Sequence, residues 1–203
     1  MAMGAKEHVC RGRSGGRVRL LTRIVLVVCM AWVFPGDVLS QVLSQEYQLK
    51  AVYLRKIPSF VEWPPSAAKS SKAAFQLCTV GDYPFGVGLA LEVRGVSVGG
   101  RRIELRWVHN EQELDGCEMV FFSRSEAKHC GKILDGLKGK SVLTVGETEG
   151  FLEAGGMVEL SFANDRLQME VNLVAARSAN LRVDARLLAM AKRVVTEHIA
   201  PGG

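Results

Sequence analysis

Two carboxylates, Asp82 and Glu147, follow glycines (Gly81 and Gly146) at the ends of short apolar runs. A carboxylate pair can serve as general acid and base when its surroundings push the two pKa values apart. With no partner group in view, two solvated loop acids is the favoured reading. A third apolar run ends in Ser123, Arg124, Ser125 and Glu126, whose Ser-x-x-Glu spacing is that of a helix capping box. The last polar cluster is Arg166, Glu170, Asn172 and Arg177. Strand alternation puts Glu170 and Asn172 on one face and Met169 and Val171 on the other. Inward polar groups need partners. Arg177 is the expected partner of Glu170, either as a structural lock or as a pair that receives a ligand, with the lock favoured.

Other chemistry has weaker support. His109, His129 and His198 lie in no nucleophile or metal motif, and the chain has no GxSxG, P-loop or Rossmann glycine fingerprint. No CxxC or Cys/His ligand spacing occurs, so neither metal nor cofactor is expected. Cys78, Cys117 and Cys130 are left once an N-terminal segment carrying Cys10 and Cys29 is set aside. Cys130 falls on the apolar stripe of a predicted helix and reads as a small hydrophobe. Cys78 and Cys117 sit in predicted central strands, where side chains can face each other. They are paired here as a disulfide, the alternative being three free buried thiols.

These residues are positioned by the stretch Cys117–Gly146. The apolar run Cys117–Phe122 precedes a polar turn. Ala127, Cys130, Ile133, Leu134 and Leu137 then recur on one helical face, with Lys128, Lys132, Asp135 and Lys138 on the other. Gly139 stops the helix and Ser141–Val145 follows, which makes a βαβ unit with parallel strands covered on both faces. Upstream, a helix over Gln45–Phe60 is interrupted by Pro58, and a polar link spans Ser66–Lys72. Strands are predicted at Phe75–Val80 and Arg102–Val108, a short helix at Phe85–Leu91, a turn at Val96–Gly100 and a helical turn at Asn110–Leu114. Met157–Phe162 and Leu167–Leu173 flank a four-residue hairpin loop, Ala163 to Arg166. A helical turn at Val174–Ala179 precedes a last helix, capped by Asp184 and running to Glu197. The fold expected is a single α/β domain with a mostly parallel central sheet, flanking helices and a C-terminal antiparallel hairpin. In such sheets ligands sit beyond the carboxyl ends of the strands, which here carry Asp82, Ser123, Arg124 and Glu147.

The N-terminus reads differently. Arg11, Arg13, Arg17, Arg19 and Arg23 precede an apolar run, Ile24–Phe34, too short to span a bilayer comfortably. Val38 and Ser40 suit a signal-peptidase cut before Gln41, so residues 1–40 are expected to be a signal segment and 41–203 the exported domain. The competing reading is a membrane anchor. The full chain has 26 basic and 21 acidic residues; residues 1–40 hold six and two of them, which leaves 20 against 19, a net of +1. Nucleic-acid binding has no electrostatic support.

Several fragments together resemble the YfiR-like periplasmic proteins: Glu46–Trp63 with its proline, Phe75–Gly86, Gly116–Glu126, Lys138–Leu160 and Arg166–Val195. Their order and spacing hold over nearly the whole of Gln45–Val195, and the cysteine pair resembles the disulfide of that family. Asn180 and the Asp184-Ala185 pair depart from the family pattern, and no second cysteine pair lies around Phe151–Glu159. The resemblance implies an exported, non-enzymatic protein that binds and inhibits the periplasmic domain of an inner-membrane diguanylate cyclase, lowering cyclic-di-GMP and biofilm formation. An outer-membrane lipoprotein is a further partner it implies, and a homodimer is held open. The alternative is a periplasmic small-ligand sensor acting with a membrane receptor through the crevice near Asp82, Ser123 and Arg124. A hydrolase ranks last.

Overall fold

The computed structural model describes residues 36–65 and 73–197, with side chains from Gln45 onward. The chain divides into two units, Met1–Gln41 and Val42–Gly203. Of the first, only Gly36–Gln41 is described, so the signal-segment expectation, with Cys10 and Cys29, falls outside the described residues; so do His198 and the link at 66–72. No helix among the described residues is long and apolar enough to cross a membrane.

The second unit is an eight-stranded, mostly parallel sheet with helices on both faces. Its central strands are β2 (Phe75–Val80), β5 (Met119–Phe122) and β6 (Leu143–Gly146), parallel in the registers Leu77↔Met119 and Met119↔Leu143. Every residue of β5 and β6 is buried, as expected of strands covered on both sides. Beyond β2 lie β4 (Arg101–Val108) and the two-residue β3 (Ser97–Val98). The predicted turn at Val96–Gly100 therefore contains this edge strand, closed by Gly99 and Gly100 at φ 56° and 78°. Beyond β6 come β7 (Val158–Ala163), β8 (Arg166–Asn172) and β10 (Arg193–Val195), so the order is β10-β8-β7-β6-β5-β2-β4-β3. β1 (Val61–Glu62) and β9 (Arg182–Val183) form a separate antiparallel pair.

One face of the sheet carries the larger core. Leu77, Met119, Phe121, Leu143, Val145, Val158, Leu160 and Val171 pack there with Leu54 of α1 (Gly36–Lys56), Leu89 of α2 (Gly88–Val93), Ala176 of α4 (Leu173–Ser178) and Leu187 of α5 (Ala185–Met190). At Ile57–Phe60 the first helix tightens into a 3₁₀ turn, with Pro58 near its start. On the other face Val80, Val120, Phe122 and Phe151 pack against Cys130, Ile133, Leu134 and Leu137 of α3 (Cys130–Leu137). The Cys78–Cys117 disulfide joins β2 to the residues leading into β5, with Cα atoms 5.9 Å apart, and Cys130 is free and buried. Cys117 lies two residues ahead of β5 and not inside it.

Four further expectations are corrected. The hairpin loop is two residues long: Ala163 pairs with Arg166, and Asn164 and Asp165 turn at φ 52° and 57°. The last helix ends at Met190, because the chain then turns extended: the Lys192 N–H reaches the Met169 carbonyl at 2.7 Å, and Arg193–Val195 join β8 in parallel. Ala127 is exposed, in a turn ahead of α3, and is not part of its apolar stripe. Finally, β10 brings Arg193 beside Glu170, so Arg193 and not Arg177 is that carboxylate's partner.

Candidate functional site

Parallel pairing in register Phe122↔Gly146 brings the residues after β5 and β6 side by side, which sets Ser123 and Arg124 next to Glu147. α1 adds Glu46, Tyr47 and Lys50. Lys50 is fully buried, and its Nζ donates to both Glu46 Oε1 and Glu147 Oε2. Arg124, about half exposed, donates from its guanidinium to Glu46 and from its backbone N–H to Glu147 Oε1 at 2.9 Å. The Tyr47 hydroxyl donates to the same oxygen at 3.2 Å. Two cations thus face two buried carboxylates, a balance that buried charge requires.

The electrostatics follow from this packing. Burial, and then the Glu147 charge, raise the Tyr47 pKa far above the usual phenol range and keep the hydroxyl a donor. For Arg124, burial works against the charge, but Glu147 and Glu46 outweigh it and raise the pKa. Both Glu147 oxygens are engaged, which leaves this carboxylate poorly placed to act as a base. The cluster is an electrostatic latch that fixes α1 over the carboxyl ends of β5 and β6 and holds out one Arg124 edge to solvent.

Asp82 does not join Glu147 as a carboxylate pair. It is exposed, and its backbone N–H donates to Ser125 Oγ at 2.9 Å. A Cβ at Gly81, where φ is 87°, would fall 2.3 Å from that same Oγ, so the close approach of the loops requires glycine. The Ser123 side chain is buried and accepts from Ser125 N at 3.4 Å, capping a 3₁₀ turn, Arg124–Glu126, that precedes the predicted helix. At the end of β4, Trp107 is 54% exposed, its Nε1 donates to the Gly81 carbonyl at 2.7 Å, and its ring lies against His109 at 4.5 Å.

A cleft of about 820 Å³ opens beside Arg124 and Glu147 and runs along the β7–β8 ribbon to Arg193. Arg193 bridges Glu170 at 2.5 Å and Glu153 at 3.0 Å. Glu159, paired across the ribbon with Glu170, accepts from Phe151 N at 3.0 Å. Burial raises the Glu159 pKa; the Leu152 and Phe151 amides pull it down only partly. Asn172 caps α4 by accepting from Ala175 N at 3.0 Å. Arg166 and Arg177 are exposed and apart from this arrangement. Among the described residues no His, Cys, Asp and Glu group is arranged to hold a metal ion.

Glu46, Lys50, Trp107 and Arg193 were not among the residues anticipated from sequence. The first two carried a signal: they continue the buried stripe Leu54 and Ile57 backward at spacings of four, so their burial was implied by that stripe.

A family model described as YfiR/HmsC-like matches residues 47–192. No curated protein matches the chain. Two solved structures are similar in part. A conserved domain protein from Vibrio cholerae is 10% identical, with a TM-score of 0.43 over 59% of this chain and 54% of that one. An ABC domain in complex with L-Trp from Streptococcus pneumonia is 9% identical, with a TM-score of 0.45 over 60% of this chain and 55% of that one. The chain spans little more than half the length of these two, and likenesses of this degree add nothing to the assignment.

Proposed function

The chain belongs to the YfiR/HmsC-like family, and on that premise we propose that it is a periplasmic regulator that binds the periplasmic domain of an inner-membrane diguanylate cyclase and holds it inactive. The observation that carries this reading is the family match over 47–192, which takes in every strand of the central sheet except its short last one. The buried disulfide fits an oxidising compartment, and residues 1–40 would supply the export signal. Inhibition by binding needs no chemistry, only a higher affinity for the cyclase's inactive state; several kcal/mol of difference moves such an equilibrium from mostly on to mostly off. The docking edge assigned here joins Trp107 and Arg124. Tryptophan and arginine dominate binding hot spots, and both are held in place by the fold before a partner arrives. An outer-membrane lipoprotein and a second copy of the chain belong to the same proposal as further partners.

The second reading, a ligand sensor coupled to a membrane receptor, moves from the crevice expected near Asp82, Ser123 and Arg124 to the 820 Å³ cleft, which Arg124 lines and Asp82 and Ser123 do not. Deletion of the gene separates the two. The cyclase reading expects cyclic-di-GMP and surface attachment to rise, with control restored by the exported chain and not by a version lacking residues 1–40. A paired Trp107→Ala and Arg124→Ala chain should fold and still fail to restore control. Unchanged cyclic-di-GMP, with a different membrane sensor recovered in a periplasmic pull-down, overturns the cyclase reading.

A further inference from the structure

A second cavity, of about 420 Å³, lies at the amino-terminal ends of β6 and β7, between α3, the turn before β7 and α4. Its volume is in the range of small-molecule sites. Leu134, Leu137, Val142, Leu152, Met157 and Val174 make an apolar wall. Two of its polar side chains are buried, Thr144 at 2% exposure and Asn172 at 6%, whereas Ser178 is exposed and donates to the Val174 carbonyl at 2.9 Å. The two buried ones each have a donor to spare. Thr144 Oγ1 accepts from Met157 N at 3.1 Å, but its own hydroxyl hydrogen meets no acceptor among the described residues. Asn172 gives one N–H to the Leu152 carbonyl at 3.3 Å and receives from Ala175 N; its second N–H likewise has no described acceptor. A buried donor left unmatched costs free energy that an acceptor in the cavity would recover.

We propose that this cavity binds a small uncharged molecule with an apolar body and one carbonyl oxygen, the oxygen accepting from Thr144 and Asn172. The lack of charge follows from the lining. Lys138 stands at the rim, is mostly exposed and is already paired with Asp135 at 2.6 Å; Glu153 is taken by Arg193. A carboxylate at the floor would meet two neutral donors and no cation, and its desolvation would go unmatched. An ammonium group would meet only neutral oxygens that already accept from Met157 N and Ala175 N, since Glu153, the carboxylate of the lining, is held by Arg193. The site is separate from the Trp107 and Arg124 edge and does not depend on the regulatory reading.

Titration calorimetry on the purified protein with octanamide tests the proposal, with octanoate and octylamine as charged comparators of the same chain length. The expected result is one octanamide per chain, with at least ten-fold weaker binding of either comparator. Thr144→Val should weaken octanamide about ten-fold, the scale of one lost buried hydrogen bond. Ala175→Phe, whose ring enters the cavity, should abolish binding while urea unfolding stays cooperative, and it keeps the test decisive should the Thr144 variant fail to fold. No octanamide binding by the folded protein, octylamine bound as tightly as octanamide, or undiminished binding by Ala175→Phe would each overturn the proposal.

Discussion

Replacing Lys50 by methionine removes the cation at the centre of the latch while keeping most of its volume. Lys50 is fully buried between Glu46 and Glu147, whose side chains are 5% and 0% exposed. Breaking a buried ion pair from one side costs about 3–5 kcal/mol, because the remaining charge stays desolvated. Here the loss should fall near the lower figure. Glu147 keeps the Arg124 and Tyr47 donors, and Glu46 keeps the Arg124 guanidinium. About 3 kcal/mol corresponds to a fall in Tm of roughly 6–12 °C for a domain of this size. Urea unfolding of the purified protein measures it, with an unchanged slope showing that the denatured state is the same. Adding Glu46→Gln to Lys50→Met should recover part of the loss, since one of the two stranded charges is then gone. A loss under about 1 kcal/mol, or no recovery in the double variant, would refute the latch, because that is how a solvent-screened pair behaves.

Non-reducing peptide mapping should recover Cys78 linked to Cys117, and Cys78→Ser should lower stability by about 4 kcal/mol in the chain-entropy model for a separation of 39 residues. Cys130→Ala, a small apolar side chain shortened, should cost about 1 kcal/mol. Gly146→Ala would put a Cβ 2.4 Å from the Phe151 ring and should destabilise by about 1–3 kcal/mol in urea melts, whereas Gly136→Ala, with nothing within 4 Å, should not destabilise. Glu159 gives a pH signature. Its folded pKa is raised above the unfolded value by burial, so its contribution is fully present below the unfolded pKa and is lost as pH rises through the folded one. Glu159→Gln should therefore gain stability relative to the parent between pH 4 and pH 7 in paired urea melts, and a difference independent of pH would contradict the raised pKa.

The βαβ unit was legible because three independent signals agree there: apolar runs bounded by turns, the helical spacing of Cys130, Ile133, Leu134 and Leu137, and Gly139 at φ 76° as the stop. The disulfide was legible because both cysteines fall in apolar runs that become neighbouring strands, although Cys117 lies just ahead of β5. The latch was not. The stripe of Leu54 and Ile57 signals that Glu46 and Lys50 are buried, but it names no partner for them, and the second carboxylate on Lys50 comes from the carboxyl end of β6 as Glu147. The last strand escaped notice because Leu187, Leu188, Ala191, Val194 and Val195 satisfy a helical period, and only pairing with β8 decides against it. The same omission misassigned the partner of Glu170: a residue 23 positions away in sequence cannot be chosen before its strand is known.

The two outer strands of the sheet, β3 with two residues and β10 with three, are very short. They cover little of their neighbours: β3 pairs with β4 only at Arg101 and Arg102, and β10 with β8 only at Glu170, Val171 and Asn172. From Glu104 to Val108 the backbone of β4 is therefore paired, among the described residues, on one side alone, with β2. A bare edge of this kind is a template onto which an extended segment of another chain can add. Trp107 stands on the same stretch, so a partner that packs against its ring meets the strand's free amides beside it.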